Sequence, residues 1–450
     1  MRGGRGAVVA LLATLAGCSG TNSQSGGGPQ VAPATPNFAR TSPSSKIAHV
    51  VIIFQENRSV DDLFNGLPGA DTVRSGMNSK GQTVQLQPIS LSAAYDIGHK
   101  HSDFELEYGG GNLDGFDKDS SNCLGAMVCP PKDVRAYGYV PRDEVQPYFT
   151  MATSYAFADR MFQTNQGPSF PAHQYIVSGT STVTNGSSLR AADNPLNPQG
   201  GKGGGCDSTP GTLVPVIDAS GKVSQNVFPC FKRLSLMQLI DGKSLTWRYY
   251  QESRGAGLWN GVDAIFRIRT SHEYDTDVAT PSSKVLTDIA AGKLADVVWV
   301  TPSAIESDHA RATNGSGPSW VAAVVNAIGE SQYWSDTAIF VTWDDWGGWY
   351  DHVPPPQLNS YELGFRVPLV VISPYAKTHY VSHTQHEFGS ILKFTEEVFG
   401  LPSLHTTDER ADDLSDCFDF SQSPTPFKPI KAKFPPSYFM HLPPTGNPDD

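Results

Sequence analysis

Apolar residues fall along this chain in two kinds of run. Unbroken apolar, largely β-branched stretches at 48–54, 245–250, 296–300, 338–343 and 367–373 have the length and composition of strands buried on both faces. Between and after them, 318–330 sets Val321, Val324, Val325 and Ile328 on one helical face, and 388–399 does the same with Phe388, Ile391, Leu392, Thr395 and Phe399. Strand–helix alternation of this kind predicts an α/β fold with a doubly wound, largely parallel sheet. Two segments break the rhythm. Residues 96–147 and 181–232 are dense in Gly, Pro, Asn and Asp and read as long loop insertions over the active edge of the sheet. Residues 421–450 form a Pro-rich tail expected to wrap the surface without regular structure, and no internal repeat is visible.

The chain also opens on an apolar run. Residues 1–18 carry Arg2 and Arg5, then an apolar stretch too short to span a bilayer, then Leu15-Ala16-Gly17-Cys18, which together read as a signal peptide. Its ending resembles the bacterial lipoprotein box, which implies cleavage and lipidation at Cys18; plain secretion is the alternative. Residues 19–45, rich in Ser, Gly, Pro and Asn, read as a flexible tether, so the catalytic domain is placed at 46–420. The expected location is therefore a membrane anchor facing the periplasm or exterior, or the exterior itself. Nothing in the sequence speaks to oligomeric state.

Charge narrows the partners. The chain has 33 basic and 45 acidic residues, a net charge of −12, and no basic run, which sets nucleic acid aside. With Cys18 assigned to lipid, five cysteines remain. Near-neighbour pairing would join Cys123 to Cys129 and Cys206 to Cys230, the latter closing a loop worth roughly 3 kcal/mol. Cys417 is left over, and the absence of C-x-x-C spacing argues against a zinc–thiolate site.

Candidate chemistry sits at the strand ends. The first strand runs into Gln55-Glu56-Asn57, and the strand at 338–343 runs into Asp344-Asp345, followed by Gly347-Gly348 and Asp351-His352. In open parallel sheets ligands bind beyond the carboxyl ends of strands, and hard oxygen ligands there suit a divalent cation. Ser169, between Pro168 and Pro171, stands before a helical pattern; it is either a nucleophile at a helix N-terminus or simply that helix's cap. His309 follows the strand at 296–300, and His99 and His101 lie in the first insertion; each can serve a phosphate or be structural.

A family resemblance rests on several runs in fixed order: HVVIIFQENRSVDDLFNGLPG, GNLDGF, GPSFPAHQYIVSGT, SDHA, WDDWGGWYDHVPPP and GFRVPLVVISPYAKTHYVSHTQHEFGSILKF. These resemble the bacterial phosphoesterases that comprise non-haemolytic phospholipases C and related acid phosphatases, within the alkaline-phosphatase-like superfamily. The resemblance implies a three-layer α/β/α sandwich. It implies that Glu56, Asn57, Asp344 and Asp345, with Ser169, hold one divalent metal ion, and the oxygen-rich ligand set suggests a hard one (Ca²⁺, Mg²⁺ or Mn²⁺). It implies Ser169 as the nucleophile, giving a phosphoseryl intermediate, with His101 and His309 lining the phosphate pocket. Where the family has a further pocket histidine this chain reads Ile265-Phe266-Arg267-Ile268-Arg269, so Arg267 or His272 is expected to contact the anion, with His352 as another weaker candidate. A serine nucleophile and the short tail tip the expectation toward a phosphomonoesterase of acid phosphatase type, with phospholipase C as the alternative. The segment from Ser169 to Gly179 also resembles the sulfatase signature, but His173 stands where that signature has arginine. A non-catalytic surface lipoprotein is disfavoured because all four ligand positions and the nucleophile are present.

Overall fold

The first apolar run becomes strand β1 (His49–Gln55), with every residue after His49 buried. The other predicted runs become β3 (Trp247–Tyr250), β5 (Val297–Val300), β6 (Thr337–Trp343) and β7 (Leu369–Ile372). Three short strands complete the sheet: β2 (Ala156–Ala158), β4 (Val278–Ala279) and β8 (Tyr380–Ser382). The order across the sheet is β4-β3-β5-β1-β6-β7-β2-β8. β7 runs antiparallel to both its neighbours, and the other pairs are parallel. The structure is a computed structural model that describes Met1, residues 46–123 and residues 129–443. The remainder of the signal segment with Cys18, the tether 19–45 and residues 444–450 lie outside the described residues.

A short helix α1 (Val60–Leu63) follows β1, and longer helices cover both faces of the sheet, giving three layers. On one side α3 (Gln146–Ser154) and α5 (Lys284–Ala290) pack against α6 (Gly317–Gly329). On the other, α4 (Ser169–Ser178) packs against α7 (Phe388–Phe399). α6 and α7 match the two predicted helical faces. α4 is buried along its whole length, so its polar residues must find partners inside the protein. Its end is set by Gly179, whose φ of 62° takes the left-handed turn that closes the helix.

The insertions carry their own small sheets. The first holds α2 (His101–Tyr108) and a hairpin of Tyr95–Ile97 with Ser121–Cys123; the second holds Arg190–Ala191, Val214–Ile217 and Val223–Val227. The disulfides are Cys123–Cys129 and Cys206–Cys230, the near-neighbour pairs, and Cys417 is a buried free thiol. The tail departs from expectation. It docks on α6 through paired hydrogen bonds between the Asn326 side chain and the Ile430 backbone, and Pro436–Met440 forms a helix whose Phe439 packs on Trp320. Apolar Phe439, buried almost completely, accounts for that order. No helix among the described residues is long and apolar enough to cross a membrane.

Candidate active site

β1 and β6 end side by side. Gln55 pairs with Trp343, and Asp344 N–H donates to Gln55 O at 3.0 Å, so Glu56-Asn57 and Asp344-Asp345 leave the sheet together. All four side chains are buried. Asn57 takes the left-handed conformation (φ 59°), which Asn tolerates better than most residues, and its N–H donates to Asp344 Oδ1 at 3.0 Å. The turn after Asp345 closes on Asn57: a Cβ at Gly347 would sit 2.3 Å from Asn57 O, and φ there is +64°, so glycine is required.

α4 brings the serine to this corner. Pro168 is the N-cap and Ser169 the first helical residue, so Ser169 is not itself the cap. Its hydroxyl donates to Asp345 Oδ2 at 3.3 Å, while Asp345 Oδ1 accepts Gly347 N–H at 2.7 Å. Phe170 N–H is taken by Asn194 Oδ1 at 3.0 Å, a contact from the second insertion. One turn along α4, His173 Nε2 lies 3.1 Å from Glu56 Oε1 and 3.8 Å from Asp344 Oδ2. In the sequence His173 opens a helical pattern and stands where the sulfatase signature has arginine; its spacing of four from Ser169, which puts both on one helical face, is the signal for its place here.

Three carboxylates crowded in a buried corner repel one another unless a cation intervenes. Asn57 Oδ1 and Asp344 Oδ2 are buried and accept no hydrogen bond. Glu56, His173 and Asp344 bring ligand atoms within 4.8 Å of one another, close enough to share one ion. These residues fit a divalent metal, with oxygens suited to a hard cation and His173 as an additional nitrogen donor.

The histidines divide. His99 Nδ1 donates to Ile97 O (2.8 Å), which leaves Nε2 to accept from Asn57 Nδ2 at 3.1 Å, and its ring meets His309 edge-on at 6.1 Å. His309 Nδ1 donates to Ala310 O (2.6 Å), and Trp259 covers its ring at 5.9 Å. The pair therefore lies against the Asn57 side. His101 Nδ1 donates to Gln166 O at 2.7 Å, tying it to the loop that presents Ser169; burial, opposed by Gln166 and Glu105, lowers its pKa and favours the neutral ring.

Arg267 and His272 do not join this group. In the short helix Phe266–Arg269 only Ile268 is buried, which turns Arg267 to solvent, and His272 is exposed in the turn beyond. His352 is also committed elsewhere. Its Nδ1 lies 2.6 Å from Asp61 Oδ2 and its Nε2 3.1 Å from Asp71 Oδ1, while Arg366 pairs twice with the adjacent Asp351. Burial works against a charged His352, but the hydrogen bond and charge of Asp61 outweigh it and raise its pKa above 6.5. A raised folded-state value means the contribution is complete below pH 6.5 and is lost as pH climbs through that value. Thermal melts should therefore show stability falling as pH rises above neutrality, and His352→Gln should flatten that dependence. A wild-type slope retained in His352→Gln would refute the assignment.

The mainly parallel α/β sheet sets a buried carboxylate corner and a helix-borne serine together beyond its strand ends, where open α/β sheets bind ligands. The chain belongs to the phosphoesterase family, whose profile matches residues 47–402. It is 24% identical to the "Non-hemolytic phospholipase C" of Pseudomonas aeruginosa, over 93% of this chain and 63% of that protein. It is 24% identical to "Phospholipase C B" of Mycobacterium tuberculosis, over 85% of this chain and 80% of that one. It is 22% identical to "Non-specific phospholipase C1" of Arabidopsis thaliana, over 90% and 76%. The chain thus spans less than two thirds of the Pseudomonas relative's length. Among solved structures, an alkaline phosphatase superfamily protein from Vibrio parahaemolyticus aligns over 81% of this chain and 69% of its own, with 10% identity and a TM-score of 0.35.

Proposed function

We propose that this chain is a metal-dependent phosphoric ester hydrolase with Ser169 as its nucleophile. The observation that carries the proposal is the convergence of Ser169 with buried Glu56, Asn57, Asp344 and Asp345. Glu56, Asn57, Asp344 and Asp345 would hold a hard divalent cation (Ca²⁺, Mg²⁺ or Mn²⁺), which would supply charge compensation for the phosphoryl group and acidify a hydroxyl beside it. Ser169 Oγ attacks phosphorus in line with the leaving oxygen, and its proton has an acceptor in Asp345 Oδ2. The ester oxygen leaves with a proton taken from solvent, and water then cleaves the phosphoserine, its oxygen joining phosphorus and a proton returning to Ser169 Oγ. The backbone carbonyls of Gln166 and Ala310 fix Nδ1 of His101 and His309, which makes Nε2 the atom through which each ring exchanges a proton.

Serine at position 169, where many phospholipases of the family have threonine, favours a phosphomonoester substrate. Phospholipase C activity is the second reading, favoured by the relatives' names. The two disulfides support an oxidising compartment, in keeping with export and a lipid anchor at Cys18. Assays of the purified protein on an aryl phosphate, phosphatidylcholine and an aryl sulfate separate the readings. The expected result is kcat/KM at least about 10-fold higher on the aryl phosphate, a difference of about 1.4 kcal/mol in barrier. Equal or better cleavage of phosphatidylcholine would transfer the assignment to phospholipase C, and preference for the sulfate would end both. In cells the activity should fractionate with membranes and become soluble with Cys18→Ser.

A further inference from the structure

A second group of metal-ligating side chains lies at the β8 edge of the sheet. Four strand spacings separate β8 from β1, about 19 Å at 4.8 Å per strand. His386, two residues before α7, is buried, as is Cys417. Asp412 and Asp416 arrive on the segment beyond α7, and Ser382 ends β8. His386 Nδ1 lies 3.0 Å from Asp412 Oδ1. On the opposite side of the ring, Nε2 lies 3.1 Å from Ser382 Oγ and 3.6 Å from Asp416 Oδ1, and Asp416 Oδ1 is in turn 3.6 Å from Cys417 Sγ.

The pattern of distances matters. Asp416 Oδ2 is well supplied, accepting from the hydroxyls of Ser382 and Thr384. Among the described residues, Asp416 Oδ1 takes only the weak S–H donor of Cys417, and its distance from His386 Nε2, 3.6 Å, is longer than a hydrogen bond. It is close to the edge of a tetrahedron around zinc, about 3.3 Å for N···O and about 3.5 Å for S···O with usual bond lengths. The candidate ligand atoms of His386, Asp416 and Cys417 all lie within 4.8 Å of one another. Ser382 gives its one hydroxyl proton to Asp416 Oδ2, so in the metal-free ring His386 Nε2–H donates to Ser382 Oγ; a bound ion would take that proton's place, facing carboxylate, hydroxyl and sulfur, while Asp412 holds Nδ1.

We infer that Cys417, His386 and Asp416 bind a zinc ion, with Ser382 Oγ or water as the fourth ligand and Asp412 orienting the imidazole. Thiolate, imidazole and carboxylate together favour Zn²⁺ over the hard cations suited to the oxygen-rich corner. Binding of the ion would displace the Cys417 thiol proton to solvent. The ion would tie the segment carrying Asp416 and Cys417 to edge strand β8 and to the start of α7.

The test is a Cd²⁺ titration of the purified, chelator-treated full chain, read as near-ultraviolet sulfur-to-metal charge-transfer absorption, with Zn²⁺ melts alongside. The expected result is one equivalent of a thiolate band and a higher Tm with zinc, both lost in Cys417→Ser. Asp412→Asn should keep the band while weakening affinity about 10–100-fold. The absence of a thiolate band in the wild type would overturn the site, as would a band unchanged in Cys417→Ser. If Cys417→Ser does not fold, an Asp412→Asn protein with undiminished affinity would overturn it. Those outcomes would leave His386 as an imidazolium held between two aspartates.

Discussion

Ser169→Ala is expected to reduce turnover of the best phosphate ester by about 10³–10⁶-fold, the range seen when a nucleophile is removed from an intact site. The fold should survive. The Ser169 hydroxyl donates to Asp345 Oδ2, and net loss of such a bond costs about 0.5–1.5 kcal/mol. Asp345 keeps the Gly347 N–H as a donor. The variant should therefore bind metal with wild-type stoichiometry and melt within a few degrees of wild type. Ser169→Thr preserves the hydroxyl and should retain measurable turnover. Acid quenching of the wild type during turnover should trap phosphate on Ser169. Full turnover by Ser169→Ala, with metal bound, would rule out the nucleophile assignment.

The second large effect concerns the carboxylate corner, where the sign of one substitution should depend on metal. Asp344 is fully buried beside Glu56 and Asp345. In excess divalent metal, Asp344→Asn removes a ligand, raises the metal Kd by at least about 10-fold and destabilises the protein. In chelator the same substitution removes one of several crowded buried charges and should stabilise it. Wild-type protein should lose activity on chelation, together with the linkage stabilisation that metal provides, about 2.7 kcal/mol at 100 times Kd. Thermal melts of both proteins, with and without metal, provide the measurement. Parallel shifts, with Asp344→Asn destabilising under both conditions, would count against the metal site.

Much of this arrangement was legible in the order of residues. The long β-branched runs announced β1, β5 and β6 because strands buried on both faces need no polar alternation. The polar pairs at the ends of β1 and β6 were visible because they interrupt those runs abruptly. The rest depends on tertiary structure. β2, an Ala-Phe-Ala segment, has little intrinsic strand preference and exists because β7 and β8 flank it. His173 was visible as a helical neighbour of Ser169, but only the docking of α4 against the end of β1 sets it at Glu56. Arg267 and His272 looked apt from their place in a family pattern, yet a single helical turn with Ile268 facing inward carries them to the surface. Cys417 had no partner within reach along the chain; the segment beyond α7 folds back to set it beside His386.

The central strand poses a problem for the nascent chain. β1 is the first strand of the large sheet to be synthesised, yet Val50 pairs with Val297 on one side and Ala338 on the other. At about 5–20 residues per second, its first partner emerges roughly 12–50 s later. Throughout that interval a run of five apolar residues has both edges open to any other strand in its vicinity. Biosynthesis of this protein should therefore depend on a holding factor that keeps the first fifty-odd residues from aggregating until β5 and β6 have been made.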